Sequence, residues 1–382
     1  MNVMKRLTAL CLTALLLVSL TACGEKKDES AQDDIVKEEQ TPAEPGSDGP
    51  SKPVEEEPSA PADTGVTMKV AAMTGPTGMG LVWLMDQFGV VETMQDEAMV
   101  ETVSANGNRY VFDLAGTADE ISPLLIKGQL DAACVPANLA SALYNKTGGE
   151  IVTLGINTLG VLYVVDKGES IQSLADLKGK TIVSAGKGAV PEYGLRYLLA
   201  QNGIDPDRDL TIEWKSEQSE CVAALASGAV EIAVMPQPYV TVAQTKIPGL
   251  RVAVSLTEEW EKLDNGSAML TGVVVARKRF IEENPAAVEA FLKDYAESVA
   301  WVNENTAAAA QSIGNYGIVA AAVAEKALPF CNIVCITGAE MQEMLSGYLA
   351  ALAEQAPQAV GGALPGEDFY YAAQGGAASD PF

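Results

Sequence analysis

Hydrophobic and polar positions divide the chain into three regimes. Residues 7–20 form an apolar stretch preceded by Lys5 and Arg6. From Gly24 to Val66 almost nothing apolar is available to bury. Beyond Met68, short apolar runs alternate with longer amphipathic segments. The short runs at 68–72, 130–135, 151–156, 181–184 and 231–235 have the length and composition of strands. The segments at 80–87, 121–127, 192–201, 220–227 and 285–303 have apolar residues at helical spacing. Alternating strand and helix predicts an α/β fold with parallel sheets covered by helices on both faces. Residues 67–382 exceed the usual size of one core, so two lobes are expected.

Two β-branched runs that end in charge mark where the chain crosses between those lobes. They are Gly160-Val161-Leu162-Tyr163-Val164-Val165-Asp166-Lys167 and Gly272-Val273-Val274-Val275-Ala276-Arg277-Lys278. If both cross, 163–272 form a continuous second lobe, and 67–162 together with 273–382 form the first. Two Rossmann-like lobes joined by two crossover strands leave a cleft between them that hinge motion opens and closes.

The charged start, the apolar stretch and Leu20-Thr21-Ala22-Cys23 read as an export signal of residues 1–22, since the stretch is shorter than a bilayer span and ends in small residues. Its ending resembles the lipobox of bacterial lipoproteins. That resemblance implies cleavage before Cys23, lipidation of its thiol with palmitate-type chains, and residence at the extracytoplasmic face of the cell membrane. Two or more acyl chains on one residue give stable anchoring where one does not. Residues 23–66 then form a disordered acidic Pro/Glu tether in which acids outnumber bases 13 to 4. As a flexible coil it reaches about 35–40 Å.

Composition narrows the function classes. A net charge of -26 leaves no basic stripe to neutralise phosphates, so no nucleic acid partner is expected. The chain has no histidine, which excludes histidine triads and histidine zinc sites. Cys134, Cys221, Cys331 and Cys335 are too few and scattered for a disulfide framework. Of these, Cys331 and Cys335 are near enough in sequence to pair.

From Met68 to about Tyr348 the chain resembles the solute-binding lipoproteins of ABC importers with the periplasmic binding protein-like II fold, in the branch of nitrate, sulfonate, taurine and thiamine-pyrimidine binders. The motifs behind the resemblance are Gly75-Pro76-Thr77-Gly78, Gly128-Gln129-Leu130-Asp131, Ser173-Leu174-Ala175-Asp176-Leu177-Lys178-Gly179-Lys180 and Gly186-Lys187-Gly188, followed by Pro236-Gln237-Pro238-Tyr239 and Phe280-Ile281-Glu282-Glu283-Asn284-Pro285. The resemblance implies a small-molecule ligand, an ABC permease complex as partner, a membrane contact through the lipid anchor and a monomeric protein. It implies no catalytic residue, no metal and no cofactor.

Ligands of open α/β sheets bind outside the carboxyl ends of strands, where helices start. The loop after the first strand offers Thr74, Pro76, Thr77, Gly78 and Met79; the alternative is a helix-capping turn. The loop after 181–184 offers Lys187, Gly188, Glu192 and Tyr193. Sulfonate binders of the branch carry a hydroxyl residue after Lys-Gly, whereas this chain has Ala189, with Glu192 three residues on. A desolvated carboxylate there selects against anions, which brings neutral or cationic nitrogen compounds level with sulfonates; an acid favouring the helix dipole is the alternative. Pro136, Asn138, Asn157, Thr158 and Gln237 follow other strands, as ligand contacts or as turn caps. Trp214 is placed to stack on a ligand, and Trp83 to pack in the core.

The function expected is capture of a small organic nitrogen- or sulfur-containing solute between two lobes and its delivery to an importer. The alternative is an anchored receptor that senses the ligand without transport.

Overall fold

The computed structural model describes residues 63–91 and 102–372, which fall within one compact unit, 58–382. The signal, Cys23 and the tether up to residue 62 lie outside the described residues. Asp63, at the end of the expected tether, pairs with Arg109 at 2.8 Å, and the Thr64 N–H donates to the Gly107 carbonyl.

The chain begins with β1 (Thr67–Met73), α1 (Pro76–Met79), α2 (Val82–Phe88), β2 (Gly89–Val91), β3 (Arg109–Ala115) and α3 (Ala118–Ile126). Next come β4 (Ala132–Pro136), α4 (Ala137–Thr147) and β5 (Ile151–Leu159). A second group follows: β6 (Leu162–Asp166), β7 (Thr181–Ala185), α5 (Val190–Gln201), β8 (Thr211–Lys215) and α6 (Gln218–Ser227). It continues with β9 (Ile232–Pro236), α7 (Tyr239–Lys246), β10 (Arg251–Ser255) and α8 (Leu256–Glu261). The chain then returns through β11 (Leu270–Arg277), α9 (Lys278–Glu283), α10 (Pro285–Glu304), α11 (Thr306–Asn315), α12 (Ala321–Ala327), β12 (Ile333–Ile336) and α13 (Gly338–Gln355).

Among the described residues these strands form two sheets, ordered β12-β5-β11-β4-β1-β3-β2 and β10-β6-β9-β7-β8. The expectation of parallel sheets needs correction, because both are mixed. In the first, β1 runs parallel to β3 and β4, but β11 runs antiparallel to β4 and β5. In the second, β7 runs parallel to β8 and β9, but β6 runs antiparallel to β9 and β10. The reversals belong to β6 and β11, which adjoin the crossings, and to edge strand β12, which runs antiparallel to β5. Chain leaving β5 at its carboxyl end reaches β6 across only Gly160 and Val161. A strand fed in that way enters the second sheet at the end where β7, β8 and β9 finish. The carboxyl ends of the main strands in both sheets therefore face a shared junction, which is where open α/β sheets bind ligands.

One continuous apolar cluster runs through that junction. It includes Ile156 and Val273 of the first sheet, Val164 and Ile182 of the second, and the helix residues Leu195, Trp260 and Tyr348. The Trp260 ring lies 4.7 Å from Tyr197 of α5 and 5.3 Å from Tyr348 of α13, centroid to centroid. Its indole Nε1 donates to Ser267 Oγ at 2.8 Å, so the polar atom of a fully buried ring is satisfied. A second cluster covers the outer face of the first sheet with Phe112, Phe291 and Tyr295. A third backs the second sheet with Val222, Leu225 and Val240. Trp83 packs edge-on to Phe88 and 6.5 Å from Trp301, in its expected structural place. Cys134, Cys221, Cys331 and Cys335 are free thiols, so Cys331 and Cys335 do not pair. Among the described residues no helix is long and apolar enough to cross a membrane.

Candidate functional site

A cavity of about 240 Å³ opens at the junction, lined by loops of both sheets. The first sheet supplies Met73, Thr74, Gly75, Pro76 and Thr77 after β1, Pro136 at the end of β4, and Thr271 of β11. The second supplies Ala189, Val190 and Pro191 where α5 starts, and Pro236, Gln237, Pro238 and Tyr239 where β9 turns into α7. Val161 and Leu162, at the direct crossing, complete the wall.

Local chemistry explains these positions. The Thr74 N–H donates to the Ala115 carbonyl at 2.8 Å, which extends the β1–β3 ladder into the loop. Gly75 has φ 139°, a value that L side chains rarely adopt, and this lets the chain turn into α1. Gln237 is 3% exposed. Its Oε1 accepts from the Thr241 N–H at 3.3 Å and from Thr241 Oγ1 at 2.9 Å. With Oε1 fixed by a backbone donor, Nε2 is the free end of the amide and has no partner among the described residues.

Of the residues expected at the site, Thr74, Pro76, Thr77, Pro136 and Gln237 come together on this cavity. The others lie elsewhere. Gly78 and Met79 are buried inside α1. Asn138 lies in the first turn of α4, and its Nδ2 donates to the Ala359 carbonyl at 3.2 Å. Asn157 and Thr158 lie within β5 rather than after it, and both are buried. Asn157 Nδ2 donates to the Thr77 carbonyl at 3.1 Å, so it positions the β1–α1 loop from behind. Burial pushes the neighbouring Cys134 thiol up to about 12.

Lys187 and Gly188 are exposed in the loop before α5. Glu192 does not project a free carboxylate into the cavity: its Oε2 accepts the Gly188 N–H at 2.7 Å. Tyr193 packs against the apolar cluster at the junction. Trp214 belongs to edge strand β8, paired with Ser184, and not to a loop at the cavity. Sequence reasoning passed over Val161, Leu162, Val190, Pro191, Tyr239 and Thr271. Their signal was available: three flank the crossings and three sit in the strand-to-helix loops already singled out. The apolar ones among them were missed because valine, leucine and proline beside strands read as core.

Two sheets whose strands end on a common cavity form the kind of cleft in which open α/β folds hold small molecules. The family of ABC transporter, phosphonate, periplasmic substrate-binding proteins matches residues 100–326, more than half of the chain. The chain belongs to that family of substrate-binding proteins.

A binding protein of Brucella abortus is 28% identical over 148 residues, 39% of this chain and 44% of that protein. The Bacillus subtilis binding protein YtlA is 26% identical over 131 residues, 34% of this chain and 37% of that one. The chain thus matches less than half the length of these relatives. Among solved structures, an ABC transporter protein from Parabacteroides distasonis is 23% identical, with a TM-score of 0.67 over 81% of this chain and 99% of that one. The periplasmic aliphatic sulphonate binding protein SsuA from Escherichia coli is 16% identical, with a TM-score of 0.62 over 83% and 95%. These two likenesses establish a shared fold.

Proposed function

We propose that the chain is a lipid-anchored, extracytoplasmic solute-binding protein that captures a small organic nitrogen- or sulfur-containing solute between two lobes and hands it to an ABC importer. The lobes are 67–162 with 273–382, and 163–272. The observation that carries this reading is the junction cavity, because its wall draws on both sheets and on the crossing at Val161 and Leu162. A ligand held there touches both halves at once, so binding favours the arrangement in which the halves are closest.

The test is a thermal-shift screen of the mature protein against phosphonates, sulfonates, pyrimidines and small amines, followed by small-angle scattering with each hit. Ligand at 100 times its Kd stabilises by about 2.7 kcal/mol, and the radius of gyration is expected to fall on binding. A protein that no solute stabilises, or that keeps its dimensions when one does, speaks against transport. Anchoring has its own check. Cys23→Ala, expressed in a bacterial host, is expected to move the protein from the detergent phase to the aqueous phase on partitioning. Incorporation of a labelled fatty acid that persists in Cys23→Ala would disprove lipidation at Cys23.

A further inference from the structure

We infer that the junction cavity takes an uncharged, mostly apolar solute that offers a hydrogen-bond acceptor to Gln237, and that it discriminates against organic anions. This rests on the reading of the cavity as the ligand site and names the chemistry admitted there.

Three observations converge. No lysine, arginine, aspartate or glutamate lines the cavity. The helix starts that face it have lost donors: Pro76 opens α1 and Pro191 occupies the second position of α5, each without an N–H, while Pro136 and Pro238 stand immediately before α4 and α7. The remaining anion-holding feature, the glycine loop before α5, has its Gly188 N–H occupied by Glu192 and carries Ala189 where a hydroxyl would serve. An ionised group left in such a wall loses water and finds no charged side chain to pair with, which is costly. A neutral solute loses little: its apolar surface meets proline, valine and leucine, and its acceptor meets Gln237 Nε2, with the Thr74 and Thr271 hydroxyls nearby on the wall.

The experiment uses the full mature protein and isothermal titration with shape-matched pairs: benzenesulfonamide against benzenesulfonate, benzamide against benzoate, and diethyl phenylphosphonate against phenylphosphonate. Neutral members are expected to bind at least ten-fold more tightly, with affinity flat between pH 6 and 9. Anions that bind as tightly as their partners overturn the inference, as does a panel in which no neutral member binds. Lys187→Gln is expected to leave neutral binding unchanged; anion binding that depends on Lys187 also overturns it. Two variants separate this inference from the site reading itself. Ala189→Trp fills the cavity and Gln237→Leu removes the donor, with unchanged circular dichroism and melting as the check that each folds. If neutral solutes bind equally well to both variants, the cavity is not the site. If anions bind and Ala189→Trp abolishes it, the site stands and the neutral-solute inference falls.

Discussion

Trp260→Ala is expected to destabilise the protein by about 3–5 kcal/mol, because a large ring is removed from a packed interior that collapses only in part. The position makes the upper end of that range the expectation. Trp260 is fully buried and stands between Tyr197 of α5 and Tyr348 of α13, so its loss strips contacts from helices attached to different sheets. The indole N–H to Ser267 is lost as well. Urea unfolding should show the midpoint falling sharply. Trp260→Phe should recover part of the loss by restoring one ring face. A change below 1 kcal/mol would mean that the two sheets do not share a core through this ring.

Gly272→Ala is expected to damage binding and stability together. A Cβ on Gly272 would lie 2.5 Å from Asn157 Oδ1 and overlap Thr77 Cγ2. Both neighbours hold the β1–α1 loop: Thr77 lines the cavity, and Asn157 donates to the Thr77 carbonyl. Overpacking of this kind costs about 1–3 kcal/mol. The displaced loop should raise the Kd of a ligand found in the screen at least ten-fold, about 1.4 kcal/mol. Thr77→Ser removes the overlapping methyl but leaves the close approach to Asn157 Oδ1, so the double variant should regain only part of the lost stability. If Gly272→Ala binds like the wild type, the β1–α1 loop is not part of the site.

How far the sequence could be read depended on which interactions carry each feature. The strands at β1, β4, β5, β7 and β9 and the long helix α10 were legible because their apolar spacing reflects burial directly. The strands β6 and β11 were legible too, since a strand buried on both faces reads as a continuous β-branched run. Strand direction was not: whether β6 and β11 run with or against their neighbours depends on where the chain enters a sheet, and spacing along one strand carries no trace of that. The site was half legible for the same reason. Thr74, Thr77 and Gln237 stood out as polar residues in strand-to-helix loops. Asn157 was singled out for polarity, yet its amide is spent on the Thr77 carbonyl, and Glu192 is spent on Gly188. Those hydrogen bonds join residues or atoms whose pairing is set by folding. The apolar wall escaped because valine and proline in a sequence look like core.

The direct crossing has a mechanical consequence. Gly160 and Val161 are the whole of the connection between β5 and β6, and Val161 also touches the cavity. Under the reading proposed above, a solute held there sits beside the hinge, and a rotation of one sheet against the other about this link would move surfaces far from it more than the cavity wall. Whatever reads the loaded state can sit far from the solute and still receive an amplified signal, and a substitution at the hinge should be felt at those distant surfaces first.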